Sequence, residues 1–300
     1  AYIILRKDAN GFWIPVDTVP NGSPFPYTYL GSSANSESES FKVVTLDSCG
    51  NQSSDLNATS HSTIYMNIAT DPCDAFVRIR WNTYKTWTQT APAKYELFAD
   101  ITPPGGSTVK GVLIYQGTAQ DSSYNHSNIQ SGSQYCYYVR VTDTTGLYTS
   151  TSNRTCIDGI IVKGSRLLYL ARATVKFDES IEVYGFIDKD ADVIDYGIER
   201  ADDIKGPYLV LGRIPKPTTG PWTISYNDYS VSPKSKKYFY RITSQDSCGA
   251  LDTTSNIARN ILVNVRANGN LTNTVMWNPY EQWDGVVDHY EVYRQVDNNG

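Results

Sequence analysis

The chain is poor in what other protein classes require. It has two methionines in 300 residues and no convincing apolar stripe at a 3.6-residue period, which argues against amphipathic helices. It has no basic excess: 26 Lys and Arg stand against 31 Asp and Glu, for a net charge of −5. Nucleic-acid partners usually need a basic face, so none is expected. No apolar run reaches the roughly 18 residues of a membrane-spanning helix, so no transmembrane segment is expected. There is no CxxC and there are only three histidines, His61, His126 and His289, scattered along the chain. A zinc site is therefore not expected, and no Ser/His/Asp or Cys/His grouping can be read from the spacing. With no catalytic motif in sight, the expectation is a protein that is not an enzyme. The first residues carry neither an initiator Met nor a signal-peptide layout, and both ends read as the middle of strands or hairpins. The expectation is a piece of a longer chain.

What is abundant points one way. Aromatics make up 12% of the residues, with 23 tyrosines among them. Tyr, Thr and short turn-forming residues suit strands and tight connections. A pattern also recurs. Trp81-Asn82-Thr83-Tyr84-Lys85-Thr86-Trp87 returns as Trp277-Asn278-Pro279-Tyr280-Glu281-Gln282-Trp283. Each copy is followed by an alternating strand with a Tyr-Glu pair, Tyr95-Glu96 and Tyr290-Glu291. The copies lie 277 − 81 = 196 residues apart, about two units of roughly 98, a period that marks tandem repeats.

Strands of period two separated by turn signals place the units. Residues 1–68 read as the C-terminal part of one repeat, with strands at 2–6, 12–19, 25–30, 41–46 and 63–68. Residues 69–158 read as a complete repeat, in which Val77, Ile79 and Trp81 share the core face. Its sixth strand is Tyr-rich, at 134–141, and leads through a turn into a strand at 148–157. Residues 159–265 repeat the plan, and the turn Asp246-Ser247-Cys248-Gly249 repeats Asp47-Ser48-Cys49-Gly50. Residues 266–300 open a further repeat. The fold class expected is all-β, a tandem and elongated array of β-sandwiches.

Trp81 on the second strand, Tyr95 opening the third and Tyr137-Tyr138-Val139 on the sixth resemble the fibronectin type III fold, with Trp277 and Tyr290 in the same places in the last copy. The resemblance implies that Trp81, Tyr95, Tyr137, Trp277 and Tyr290 are core residues. WNxYxxW, the turn from Asp47 to Asn51, and Tyr135-Cys136-Tyr137 with Ser152-Asn153-Arg154-Thr155-Cys156 are similar to the repeats of large Bacteroidetes surface proteins. Those are the gliding-motility-associated proteins exported by the type IX secretion system. The resemblance implies a non-catalytic stalk of a secreted, cell-surface adhesin or filament of a Gram-negative bacterium. Its implied partners are other repeats of the same chain, outer-membrane secretion or anchoring proteins, or surface glycans. The alternative is a set of accessory carbohydrate-binding modules in a secreted polysaccharide hydrolase. The third repeat departs from the pattern, with Tyr184-Gly185-Phe186 where Trp-Asn is expected.

Several groups bear on chemistry. Cys136 and Cys156 each stand ten residues from Gly146, so a hairpin centred there places them opposite one another, within reach of a disulfide. Two buried thiols are the other reading. Cys49–Cys73 is a second candidate pair, and Cys248 has no obvious partner. Asp188, Asp190, Asp192 and Glu199 have the acidic spacing of a calcium loop. Val193 stands where such a loop needs Gly, so a solvated acidic loop competes with calcium, the one cofactor considered. Trp87 and Trp283 fall outside the expected core strands and are candidates for ligand contact, against a role covering an edge. Asn21, Asn51, Asn57, Asn125, Asn153 and Asn270 fit the glycosylation sequon, at a frequency chance explains in a chain so rich in Asn, Ser and Thr.

Overall fold

A computed structural model describes all residues except 25, 85–86, 88–89, 281–285 and 295–300. Every long element is a strand, all pairings are antiparallel, and no α-helix occurs among the described residues. The chain divides into two compact units, residues 1–161 and 162–300.

The first unit begins with β1 (Tyr2–Lys7), β2 (Trp13–Val19), β3 (Ser40–Thr45) and β4 (Ser60–Ser62), which form one sheet in the order β2-β1-β3-β4. No strand forms at 26–30, and Phe25 lies outside the described residues. Pro26 lacks a ladder donor, and the Tyr27 hydroxyl turns instead to donate to Asp17 at 2.5 Å. Next come β5 (Met66–Asp71), β6 (Phe76–Trp81), β7 (Pro92–Thr102), β8 (Val109–Thr118), β9 (Ser123–His126), β10 (Gln134–Asp143), β11 (Thr149–Thr151) and β12 (Thr155–Asp158). They build a three-stranded sheet, β5-β6-β9, and a second sheet, β11-β10-β7-β8, with β12 also on β10. One core lies between the two sheets: Met66, Val77, Ile79 and Trp81 meet Tyr95, Leu97, Tyr137, Val139 and Val141. Along β10 the odd-numbered residues Tyr135 to Val141 are buried and the even-numbered ones look outward, the alternation a half-buried strand requires. The boundary expected at residue 68 cuts through β5, whose pairing with β6 makes it the opening strand of the sandwich built from β5 to β12.

The second unit contains β13 (Leu168–Val175), β14 (Ile181–Ile187), β15 (Val193–Ala201), β16 (Leu209–Pro215), β17 (Thr223–Asp228), β18 (Phe239–Asp246), β19 (Leu251–Thr254), β20 (Ala258–Arg259), β21 (Val263–Ala267) and β22 (Asn273–Trp277). The sheet β13-β14-β17 shares one core with β16-β15-β18-β19, and β20 adds to β18. As in the first unit, a three-stranded sheet packs on a five-stranded one. The inward residues of β14 are Ile181, Val183, Gly185 and Ile187, so Gly185 occupies the place that Trp81 holds on β6. A Cβ there would lie 2.5 Å from Ile242 Cδ1 and 3.0 Å from the Tyr169 carbonyl. The Ile242 side chain and the Tyr169 carbonyl stand where a side chain at this position would go.

The remaining strands, β21 and β22, pair only with each other, and the boundary expected at 265 falls inside β21. Residues 286–294 form no strand. Trp277 is 36% exposed and Tyr290 37%, so the expectation that both are core residues is corrected. Their rings still contact at 5.6 Å, as Trp81 and Tyr95 do at 5.8 Å. Among the described residues no second sheet faces this ribbon, and a two-stranded ribbon has no core of its own.

The two tryptophans therefore differ energetically. Trp81→Ala is expected to lower the unfolding free energy of the first unit by about 3–5 kcal/mol. Trp277→Ala should cost less than about 1.5 kcal/mol, because much of the ring is already in water. Denaturant titration followed by circular dichroism measures both, and equal losses would refute the difference.

Candidate functional site

The residues that recur in the sequence are the natural place to look for a site, and the structure gives each of them a structural partner. In Trp-Asn-x-Tyr, the Asn82 Oδ1 accepts the Tyr65 amide at 2.6 Å and its Nδ2 donates to the Thr63 carbonyl at 3.2 Å. Asn278 repeats this with the Leu262 amide at 2.7 Å and the Asn260 carbonyl at 3.3 Å. In both copies the amide holds the segment that leads into the preceding strand, β5 in one and β21 in the other. The tyrosine of the motif is also used twice. The Tyr84 amide donates to the Tyr95 hydroxyl at 2.5 Å, and the Tyr280 amide to the Tyr290 hydroxyl at 2.8 Å. The Tyr84 hydroxyl then meets His61 Nδ1 on β4 at 3.0 Å. The Tyr280 hydroxyl accepts the Ala173 amide on β13 at 3.1 Å. Each copy thus reaches back to the preceding sheets, so the motif is a joint.

A second device was missed in the sequence because its residues pass for ordinary turn formers. Asn153 accepts the Met66 amide at 2.6 Å and donates to the Met66 carbonyl at 3.0 Å, while Ser152 Oγ accepts the Val139 amide at 2.9 Å. Asn256 does the same for Leu170 at 2.8 and 3.0 Å, and Ser255 Oγ for the Ile242 amide at 2.8 Å. The Ser-Asn pair clamps the first strand of each sandwich to the last, and in the first unit it separates β11 from β12. The signal available was the recurrence of Thr-Ser-Asn at 151–153 and 254–256, a spacing of 103.

Inside each sandwich a buried tyrosine hydroxyl faces a titratable group. Tyr137 Oη lies 2.8 Å from His126 Nδ1, and burial holds His126 below the usual histidine range. Tyr240 Oη donates to Asp228 at 2.9 Å. Asp228 also accepts from Arg200 Nη1 at 2.7 Å and from the Ser230 amide and hydroxyl at 2.9 and 2.8 Å. Burial pushes the Asp228 carboxyl up, but the bonds from Ser230, Arg200 and Tyr240 outweigh it and hold the group below its ordinary value. Every acceptor position is occupied, which suits anchoring and leaves no lone pair for a substrate.

The calcium expectation is corrected. Among the described residues no three His, Cys, Asp or Glu side chains are placed to hold a metal ion. Asp188 accepts the Arg166 and Asp190 amides, each at 2.9 Å, and Asp192 accepts the Lys163 amide at 2.8 Å. Glu199 lies on β15 and pairs with Arg241 at 2.6 Å. The acidic run is a turn closed by backbone donors.

Cys136 and Cys156 stand directly opposite on β10 and β12 and form a disulfide with Cα atoms 3.9 Å apart. The Cys49–Cys73 pairing is corrected: Cys49 is a free, exposed thiol, whereas Cys73 is disulfide-bonded, and so is Cys248. Trp87 is half-buried, its ring 4.6 Å from Tyr84 and packed on the core, while Trp283 lies outside the described residues. Asn153, a sequon asparagine, is buried and fully engaged. On the outward face of β7 and β10, half-buried Phe98 and Tyr138 stack with ring centroids 5.2 Å apart, and Arg140 lies over Phe98 at 4.6 Å. Arg140 is in turn neutralised by Glu96 at 2.9 Å. An open apolar groove of ≈ 590 Å³ runs along β21 and β22, lined by Val263, Val265, Val275, Trp277, Tyr290 and Val292. No protein-family model and no curated protein matches the chain.

Two outcomes follow from these bonds. Asn153→Ala leaves a buried amide and carbonyl of Met66 unpaired and should cost roughly 2–4 kcal/mol, read as a fall in the denaturation midpoint of the first unit. Because the folded carboxyl of Asp228 is held low, its contribution is complete above the unfolded value near pH 4 and is lost as pH falls through the folded value. Asp228→Asn should therefore weaken the second unit at pH 7 and flatten its acid loss below about pH 4, which thermal unfolding across pH 2–7 would measure.

Proposed function

We propose that this chain is a non-catalytic spacer: tandem fibronectin type III-like β-sandwiches from a secreted, cell-surface adhesin or filament. The observation that carries this is the use made of the repeated residues. Trp-Asn-x-Tyr ties a sandwich to the sheets before it, Ser-Asn ties the first strand to the last, and the Asp-x-x-Gly turn closes the hairpin between β10 and β11 and between β18 and β19. What selection would have kept in such a chain is the joint and the core. The packing of a three-stranded antiparallel sheet on a larger one in both sandwiches supports the fibronectin-like reading. The disulfides support export, since cytosolic thiols are normally kept reduced. In this reading the export route is type IX secretion, the location is the surface of a Gram-negative bacterium, and the partners are neighbouring repeats and an outer-membrane anchor. The accessory carbohydrate-binding role is less well supported, because Trp87 is turned onto Tyr84 rather than outward.

Single-molecule pulling tests the proposal. A spacer of independent sandwiches should unfold in successive events of similar length, about 300 Å of chain for each repeat of some 98 residues. These full-length events are expected under reductant; without it the 20-residue span between Cys136 and Cys156 stays locked, about 70 Å of chain, and the bonds at Cys73 and Cys248 hold back further chain. A single cooperative event for the whole chain would refute the array. A polysaccharide affinity abolished by Trp87→Ala would favour the accessory module.

A further inference from the structure

Two sheets of this chain present the core face of a sandwich with no sheet packed on it, and strand register identifies them as opposite halves of one sandwich. The sheet β2-β1-β3-β4 has the same order as β8-β7-β10-β12, and its residues belong to neither of the two cores. The turns Asp47-x-x-Gly50 and Asp143-x-x-Gly146 align β3 with β10, so Phe41 and Val43 stand where Tyr137 and Val139 do. Ile4 pairs with Val43 and Tyr2 with Thr45, as Leu97 pairs with Val139 and Tyr95 with Val141. Tyr2, Ile4, Phe41 and Val43 therefore hold core positions. Yet they line an open groove of ≈ 530 Å³, and Val43 is 50% exposed.

The ribbon β21-β22 is the other half. Val263 pairs with Trp277 and Val265 with Val275, as Met66 pairs with Trp81 and Ile68 with Ile79. In the sandwich of β5 to β12 that face lies on Tyr95, Leu97, Tyr137 and Val139. In the ribbon it lines the groove of ≈ 590 Å³, and Val265 is 64% exposed. One edge of the ribbon is open as well. β6 pairs with β9 and β14 with β17, whereas β22 pairs with β21 alone. The stretch that matches β9 by its place between β2 and β3 is 26–30, and it forms no strand. The edge it would join is that of the missing half.

We propose that the occupant of both faces is a second copy of this chain. The ribbon β21-β22 of one copy packs on the sheet β2-β1-β3-β4 of the next, and residues 27–30 of that next copy add to the free edge of β22. The driving force is the burial of apolar faces that a two-stranded ribbon and a lone sheet cannot cover for themselves. Within one copy Tyr290 rests on Trp277 at 5.6 Å. In the joined sandwich Tyr2, which is in register with Tyr95, takes that place, and residues 286–294 leave the groove. The contact joins two different surfaces, so each pair of copies keeps one of each free, and association continues until a ring closes or a filament grows. The inference rests on strand register and holds for a spacer and for a binding module alike.

The test is sedimentation velocity on the 300-residue chain across a wide range of concentration. The mass is expected to rise with concentration, past the dimer. Val43→Asp and Val265→Asp each change an exposed position, one on either face, so both variants keep the two complete sandwiches, as circular dichroism would check. Each variant alone is expected to stay monomeric, because the joined core would bury an unpaired carboxylate. Mixed in equal amounts they should form a one-to-one dimer and nothing larger. Only the ribbon of the Val43→Asp chain and the first sheet of the Val265→Asp chain remain able to join. A wild-type chain monomeric at every concentration, a symmetric ribbon-to-ribbon dimer that survives Val43→Asp, or a mixture that stays monomeric would each overturn the proposal.

Discussion

The constraint on which both sandwiches depend is the burial of two tyrosines on their central strands. Tyr95 and Tyr137 on β7 and β10, and Tyr196 and Tyr240 on β15 and β18, are all fully inaccessible to solvent. A buried tyrosine brings a large apolar body and one hydroxyl that costs free energy if it is left unpaired. Much of the rest is arranged around those hydroxyls. Tyr95 receives the Tyr84 amide, which fixes the path of the chain after Trp81 and so the joint to β4. Tyr137 has His126, and Tyr240 has Asp228 with Arg200 and Ser230 behind it. Tyr196 has no hydrogen-bond partner for its hydroxyl among the described residues, and in this sandwich the Trp-Asn-x-Tyr motif that would supply one is missing.

Around that fixed pair the two sandwiches have drifted freely. Trp81 in one core corresponds to Gly185 in the other, where Ile242 and the backbone of β13 stand in the way of any side chain. On the outward face, the cross-strand pair Phe98–Tyr138 is an aromatic stack, while the matching pair Glu199–Arg241 is an ion pair. The two exchange readily because outward cross-strand pairs contribute only a few tenths to about one kcal/mol whatever their chemistry. The inward tyrosines cannot drift in the same way, since each is both a large packing element and a hydrogen-bonding group.

This division bears on function. The asparagines and tyrosines that recur are held by the protein itself, and the outward cross-strand pairs differ between the two sandwiches. A shared ligand site would reverse that pattern, with exposed residues kept and partners left open for the ligand.

Alternation of apolar and polar residues, turn residues between short strands and the return of Trp-Asn-x-Tyr were enough to read an all-β chain of recurring units and to place Trp81 on a core face, whereas Tyr95 and Tyr137 were expected there from the resemblance alone. Those features are local, because strand periodicity and turn conformation depend on neighbours in sequence. The opposition of Cys136 and Cys156 was equally legible, since a hairpin sets its own register. What pairs across long separations was not. That β5 belongs to the sandwich of β6 and β10, that Asn153 and Asn256 clamp first strands 87 and 86 residues away, and that Cys73 is bonded while Cys49 is free follow only from how the sheets stack. The acidic spacing of Asp188 to Glu199 misled for the same reason: a calcium loop needs its carboxylates to converge, and here β15 carries Glu199 away to Arg241. Trp277 shows the limit most plainly, because its sequence context matches that of Trp81, and only a facing sheet, present in one case and absent among the described residues in the other, makes an indole part of a core.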